Sequence, residues 1–235
     1  MRAPAALAAL CLAVAVPLAG AAEGELPLLP DAGSEAWRAV GRVNVAGFNH
    51  RTICSGTLVA PDRVVTAAHC VSGADGRPVP LHDLHFVAGW HLGAHAGHGR
   101  AAAVHLHPRW RGLGQSHVAS DIAVIRLDAA LAVPPLPAAA PAGARGVRAV
   151  LGYQFTRPNA LSGRMDCAPL KARRGHMQLA CAAAAGSSGG PVLERRGDGW
   201  RVVGVVSGGA PPGAAPRVHA ALLDRWALER IAPAR

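Results

Sequence analysis

Acidic and aromatic side chains are both scarce in this chain of 235 residues: Asp and Glu number 14 against 24 Lys and Arg, and aromatics make up 4%. Lysine is scarcer still. Lys171 is the only one, so arginine carries nearly all of the +10 net charge. No Lys/Arg run interleaved with aromatics occurs, which removes the usual signature of a nucleic-acid groove, and no nucleic-acid partner is expected. A basic surface instead favours anionic polymers, lipid head groups or acidic substrates. No cysteine pair has the close C-x2-C spacing of a four-cysteine metal site, so no metal is expected. The apolar run at residues 5–16 is too short to span a bilayer as a stable helix. No repeat or low-complexity domain interrupts the chain.

That short apolar run follows Arg2 and is followed by the small residues Gly20, Ala21 and Ala22. Residues 1–22 are therefore expected to be a signal peptide, with a secreted or periplasmic product and no stable membrane insertion after its removal. Cys11 lies inside the run behind Leu10 rather than a small residue, which argues against a lipoprotein cysteine. Its removal leaves Cys54, Cys70, Cys167 and Cys181, an even count that in an exported chain suggests two disulfides. Three pairings are open; the local one, Cys54–Cys70 and Cys167–Cys181, gives one staple to each half.

Residues 23–36, with Pro27, Pro30 and Gly33, read as a short arm or propeptide. From Trp37 onward, short β-type runs alternate with turn residues, at 40–45, 53–59, 63–67, 84–88, 102–106 and 122–127. Pro134, Pro135, Pro137 and Pro141 prevent continuous sheet pairing over residues 131–143, because proline lacks the donor. Strand candidates resume at 146–152, 177–181, 191–193, 200–206 and 217–219. Residues 221–231 place Leu222, Leu223, Trp226 and Ile231 on one helical face. The expected architecture is all-β: two packed six-stranded antiparallel β-barrels, at about 37–130 and 145–220, and a C-terminal α-helix, within one domain over 37–235.

Three motifs carry chemistry. In Thr66-Ala67-Ala68-His69-Cys70, a histidine follows a strand, and histidine is the natural general base because its free side chain titrates near neutrality. In Ser120-Asp121-Ile122-Ala123-Val124, one acid opens an apolar strand, where a carboxylate can hold an imidazole N–H. In Gly186-Ser187-Ser188-Gly189-Gly190-Pro191, glycines flank a serine and leave its hydroxyl and neighbouring amides accessible. Taken singly, these read as a surface histidine, a strand-capping acid and a Gly/Ser turn.

Together, and in the order His, Asp, Ser, the motifs resemble the chymotrypsin-like (trypsin-like) serine proteases over roughly residues 37–231. Subtilisins and α/β-hydrolases order their triads differently. The resemblance implies a serine endopeptidase with Ser188 as nucleophile, His69 as base and then acid, and Asp121 as its orienter. It implies an oxyanion hole from the N–H groups of Gly186 and Ser188, and no metal or organic cofactor. It also implies that Ser207 bonds near Asp121, and that the backbone of Ser207, Gly208 and Gly209 pairs with an extended substrate. The partners implied are protein or peptide substrates, with the enzyme a monomer. The short His69-to-Ser188 interval and the Cys167/Cys181 pair are similar to bacterial proteases related to glutamyl endopeptidases.

The chain departs from the family in places. Ser187 stands where many members carry an Asp that pairs with a newly cut N-terminus, so the nucleophile loop is expected to be ordered without a new ammonium group. Ala182 stands where trypsin-like members hold the acid of the specificity pocket, and Val206 where glutamyl enzymes hold a histidine. With Gly208 and Gly209 open, uncharged or apolar substrate side chains are expected; His219 is a second candidate to meet an acidic one. His82, His85, His91, His95 and His98 suggest a metal site only if helical, and Gly93, Gly97 and Gly99 oppose a helix, leaving a solvated loop. The alternative functions are a catalytically weak or inactive protease-fold binding protein of the cell envelope and an envelope quality-control protease. The absence of an appended peptide-binding domain makes the second less attractive, and a binding role gives no physical reason to retain all three motifs.

Overall fold

The structure is a computed structural model that describes residues 24–30, 35–45, 52–114, 117–211 and 213–232; the expected signal peptide lies outside the described residues. Six strands, β1 (Val40–Val45), β2 (Thr52–Ala60), β3 (Arg63–Thr66), β4 (Leu84–Ala88), β5 (Gly97–Leu106) and β6 (Ala123–Leu127), close into an antiparallel barrel in the order β1-β2-β3-β6-β5-β4. A second barrel comprises β7 (Arg148–Gln154), β8 (Arg157–Arg173), β9 (His176–Ala180), β10 (Pro191–Arg196), β11 (Gly199–Gly209) and β12 (Val218–Leu222), in the order β10-β11-β12-β9-β8-β7. The helix α1 (Arg225–Ile231) follows. The expected all-β, two-barrel architecture with a terminal helix is thus present.

Side-chain alternation explains the first barrel. In β4, Leu84, Phe86 and Ala88 are buried and the residues between them are not, the period of two that sends alternate side chains to one face. They meet Val43, Leu58, Val64 and Ile125 inside the barrel. β6 is apolar on both faces for a different reason: Ile125 and Leu127 enter that interior, while Ile122 and Val124 join Leu151, Tyr153 and Val205 in a core between the barrels. That second core also takes Leu223, Ala227 and Ile231, so α1 is held by its apolar stripe. The proline-rich connector makes isolated bonds rather than a strand, Leu136 N–H to Leu58 O at 3.0 Å and Ala139 N–H to Val202 O at 3.0 Å.

Two expectations are corrected. β8, 17 residues long, was absent from the expected strands. Pro158, Gly163 and Pro169 punctuate it and much of its length is exposed, so it lacks an apolar repeat; its hydrogen bonds to β7 and β9 make it a strand. The helix begins at Arg225 rather than 221, because Ala221 and Leu222 extend β12, opposite Val205 and Gly204. Asp224 then starts the helix, its carboxylate accepting from Ala227 N–H at 3.0 Å.

Candidate active site

His69 sits in a short 3-10 turn, Ala68–Cys70, at the end of β3. Ala67 and Ala68 are fully buried, small enough to let this turn pack against the barrel. Asp121 ends another such turn, just before β6, and is 3% exposed. Its carboxylate grips His69 at two points: Oδ1 accepts from the His69 backbone N–H at 2.9 Å, and Oδ2 lies 2.7 Å from the ring Nδ1. The second contact requires the proton on Nδ1, which leaves the lone pair on Nε2. Ser207 Oγ donates to the same Oδ2 at 2.5 Å. Three residues from two barrels are therefore joined around one carboxylate.

Ser188 lies in the turn before β10. Ser188 O accepts from Ser55 N–H at 2.7 Å, and Gly189 N–H donates to Val206 O at 2.7 Å, so both barrels hold the loop. A side chain at Gly189 would strike Thr66 Oγ1 and Ser55 O, at 2.1 and 2.2 Å from its Cβ, and φ is +79° there. Glycine is what permits this approach to the strand leading to His69. The Ser188 hydroxyl, half-buried, is not hydrogen-bonded to His69. Catalytic contacts of this kind are often long before substrate binds. The N–H groups of Gly186 and Ser188 donate to no acceptor among the described residues.

Sequence reasoning missed the supports of this loop. Ser55 Oγ donates to Gly186 O at 2.9 Å and accepts from Tyr153 N–H at 2.8 Å. Ser187 Oγ donates to Ala184 O. Gln154, fully buried, accepts from Leu26 N–H at 2.9 Å and donates from Nε2 to Leu26 O at 3.0 Å. The next residue, Phe155, donates its N–H to Ala185 O at 2.9 Å. An amide clamp on the N-terminal segment thus abuts the loop, and Arg157 reinforces it, donating to Leu26 O at 2.6 Å while pairing with Glu25 at 2.8 Å. Nothing in the local sequence signals it, since both partners are read only by their distant contacts.

The remaining expected positions are dispersed around this centre. Ala182 lines a cavity of about 760 Å³ with Ala183, Ala184, Ala185, Ala210 and Arg217. Gly208 and Gly209 lie on β11 opposite His219 and Val218 of β12. On the other side of β11, pairing with β10 starts at Val205, leaving Ser207, Gly208 and Gly209 without a second strand among the described residues. Gly209 packs on Ala183 O, 2.3 Å from where its Cβ would stand. Cys54 is bonded to Cys70 and Cys167 to Cys181. Cys54, Cys70 and His69 form the one cluster of metal-ligand type among the described residues, but its two sulfurs are bonded to each other. His91, His95 and His98 share no helix; His98 is on β5 and stacks on His85 of β4, with ring centroids 5.2 Å apart.

A family model described as the trypsin-like peptidase domain matches residues 54–205. Human transmembrane protease serine 5 is 31% identical over 210 residues, covering 69% of this chain and 41% of that protein. The chain therefore spans about two fifths of that relative's length. Among solved structures, a thermostable serine protease from an extremophilic microorganism superposes with a TM-score of 0.70 at 19% identity, covering 84% of this chain and 96% of that one. The protease Anisep from Arthrobacter nicotinovorans gives a TM-score of 0.65 at 18% identity, with 85% and 92% covered. At such identities the two structures speak to the fold.

Proposed function

The chain belongs to the trypsin-like peptidase family, and from that premise we propose that it is an exported serine endopeptidase working through Ser188, His69 and Asp121. The observation that carries this reading is the two-point grip of Asp121 on His69, 2.9 Å to the backbone N–H and 2.7 Å to Nδ1. It sets the ring's orientation and tautomer before substrate arrives.

In the proposed reaction the Ser188 Oγ attacks the peptide carbonyl and its proton passes to His69 Nε2. The carbonyl π electrons move to oxygen, where the N–H groups of Gly186 and Ser188 stabilise the anion; one such donor typically contributes roughly 100- to 1000-fold in rate. Asp121 stabilises the imidazolium without taking its proton. The tetrahedral centre collapses, the C–N bond breaks, and His69 delivers its proton to the leaving amine. Water, deprotonated by His69, then hydrolyses the Ser188 ester by the same route and restores the hydroxyl. No metal or organic cofactor enters any step. The unpaired side of Ser207, Gly208 and Gly209 supports binding of an extended peptide by strand addition, which suits cleavage within a chain.

Export is supported by the apolar run at residues 5–16 behind Arg2 and by the two disulfides, which persist in oxidising compartments. No helix among the described residues is long and apolar enough to cross a membrane. A digest of proteome-derived peptides, with Ser188→Ala as control, tests the activity. New internal cleavages with the wild-type protein alone are expected; identical peptide maps from the two would refute the proposal.

A further inference from the structure

Four arginines among the described residues have a buried Nε with no hydrogen-bond partner: Arg42, Arg148, Arg157 and Arg217. In three of them another guanidinium nitrogen is engaged, Arg42 by Pro158 O, Arg148 by Glu194 and Arg157 by Glu25. Arg217 makes no side-chain hydrogen bond or ion pair with any described residue. A buried donor without a partner is costly, and the rest of the half-buried Arg217 side chain is left to meet a ligand.

Arg217 lines the cavity of about 760 Å³ that also contains Ala182. Residues 182–185 of the same lining offer methyl groups and run directly into Gly186, Ser187 and Ser188. Glu25 is the only acid on the lining, and Arg157 holds its carboxylate at 2.8 Å. Arg217 immediately precedes β12, whose Val218 and His219 stand opposite Gly209 and Gly208. The guanidinium therefore belongs to the segment beside the backbone proposed to receive substrate. His219 does not share the role: burial first, then the Arg217 charge, holds its ring below the ordinary histidine value. Arg217 is the one basic residue among those lining the cavity.

We propose that Arg217 determines specificity: its guanidinium receives the carboxylate of an Asp or Glu side chain on the residue whose carbonyl is attacked, so that cleavage follows acidic residues. This rests on the serine-protease reading of Ser188 and replaces the uncharged preference expected from Ala182, Gly208 and Gly209. A planar guanidinium in an alanine-lined cavity binds a carboxylate through paired, charge-assisted N–H···O bonds, and a neutral isostere cannot supply that charge. The glutamyl device of a histidine before Ser207 is not required, since the cation comes from the residue that leads into β12.

The test uses fluorogenic peptides identical except at the attacked residue, carrying Glu, Gln, Ala, Leu or Lys. Wild-type kcat/KM is expected to favour Glu over Gln by at least about tenfold. Arg217→Ala should bring that ratio near unity, and Arg217→Glu should move the preference to Lys. Fluorophosphonate labelling of Ser188, read by mass spectrometry, accompanies each variant as the check on an assembled site. Labelling with no Glu preference in the wild type, or a Glu preference that survives Arg217→Glu, overturns the role of Arg217 and leaves the protease reading intact. Absence of both labelling and hydrolysis in the wild type overturns the protease reading and this inference with it. If only the variants fail to label, the Glu-to-Gln ratio of the wild type decides.

Discussion

Ser55 touches the nucleophile loop twice, through its amide to Ser188 O at 2.7 Å and through its hydroxyl to Gly186 O at 2.9 Å, and it is fully buried. Its hydroxyl also accepts from Tyr153 N–H. Removing it strands a carbonyl and an amide away from water, a loss of about 1–3 kcal/mol. Ser55→Ala is accordingly expected to lower the unfolding free energy by that amount, read as a lower urea midpoint at unchanged slope; an unaltered midpoint would show that water replaces the hydroxyl without cost. The contrast with His69, Asp121 and Ser188 shows what was legible at this scale. Those three stand in contiguous motifs whose neighbours serve the same purpose, buried alanines behind the histidine and glycines around the serine. Ser55 and Gln154 bond to residues far away in sequence, and Arg217 shares a cavity with the distant Ala182, so their surroundings carry no local sign. Ser55 looks like any polar residue in a half-buried strand, and Arg217 like one more basic residue in an arginine-rich chain.

The strands that alternate cleanly, such as β4, or that are apolar on both faces, such as β6, were readable because side-chain period and burial agree. β8 was not, since its backbone pairs at both edges while its side chains largely face solvent. The start of α1 was misread because residues 220–223 suit a strand or a helix equally, and only the closing of the barrel chooses between them. β9 and β12 carry a pH dependence of their own. His176 Nε2 and His219 Nδ1 lie 3.2 Å apart with stacked rings. Burial is the main cause that lowers both from the ordinary value of 6.5, His176 being lowered further by His219 and Arg173, and His219 by Arg217. Folding therefore favours the neutral rings. The unfolded chain binds more protons once the pH falls below the ordinary value, and the stability these rings contribute above it is lost on further acidification. The melting temperature should drop as pH is lowered from 7 towards 5, and His176→Gln with His219→Gln should flatten that slope. Parallel pH profiles for the two proteins would place the acid sensitivity elsewhere.

The two barrels share a core to which β1, β3, β6, β7, β10 and β11 contribute, and the site is built where they meet. Asp121 and His69 come from one barrel, Ser207 and the Ser188 loop from the other, so the geometry depends on the assembled molecule. The architecture was visible in the rhythm of strands and turns, whereas the role of the N-terminal segment was not. Leu26 is fully buried and its backbone is clamped by Gln154, beside the bond from Phe155 N–H to Ala185 O. Arg157, paired with Glu25, adds a bond to Leu26 O at 2.6 Å, and none of these contacts calls on an acid at position 187. A protein beginning at Glu23 is expected to react with fluorophosphonate as it stands, and one beginning at Leu28 to react at least about tenfold more slowly, because a disordered loop loses preorganised donors. Reaction by the shorter form alone would reverse this view and make the segment an inhibitory one.

The central claim is that Ser188 is a nucleophile activated by the His69–Asp121 pair, and one measurement addresses it directly. Purified protein is incubated with a fluorophosphonate and its intact mass and tryptic peptides are recorded, alongside Ser188→Ala and His69→Ala. The account predicts a single adduct on Ser188 in the wild type, none in the first variant and a greatly slowed reaction in the second. A wild type that stays unmodified, or carries the adduct on a different serine, would contradict it.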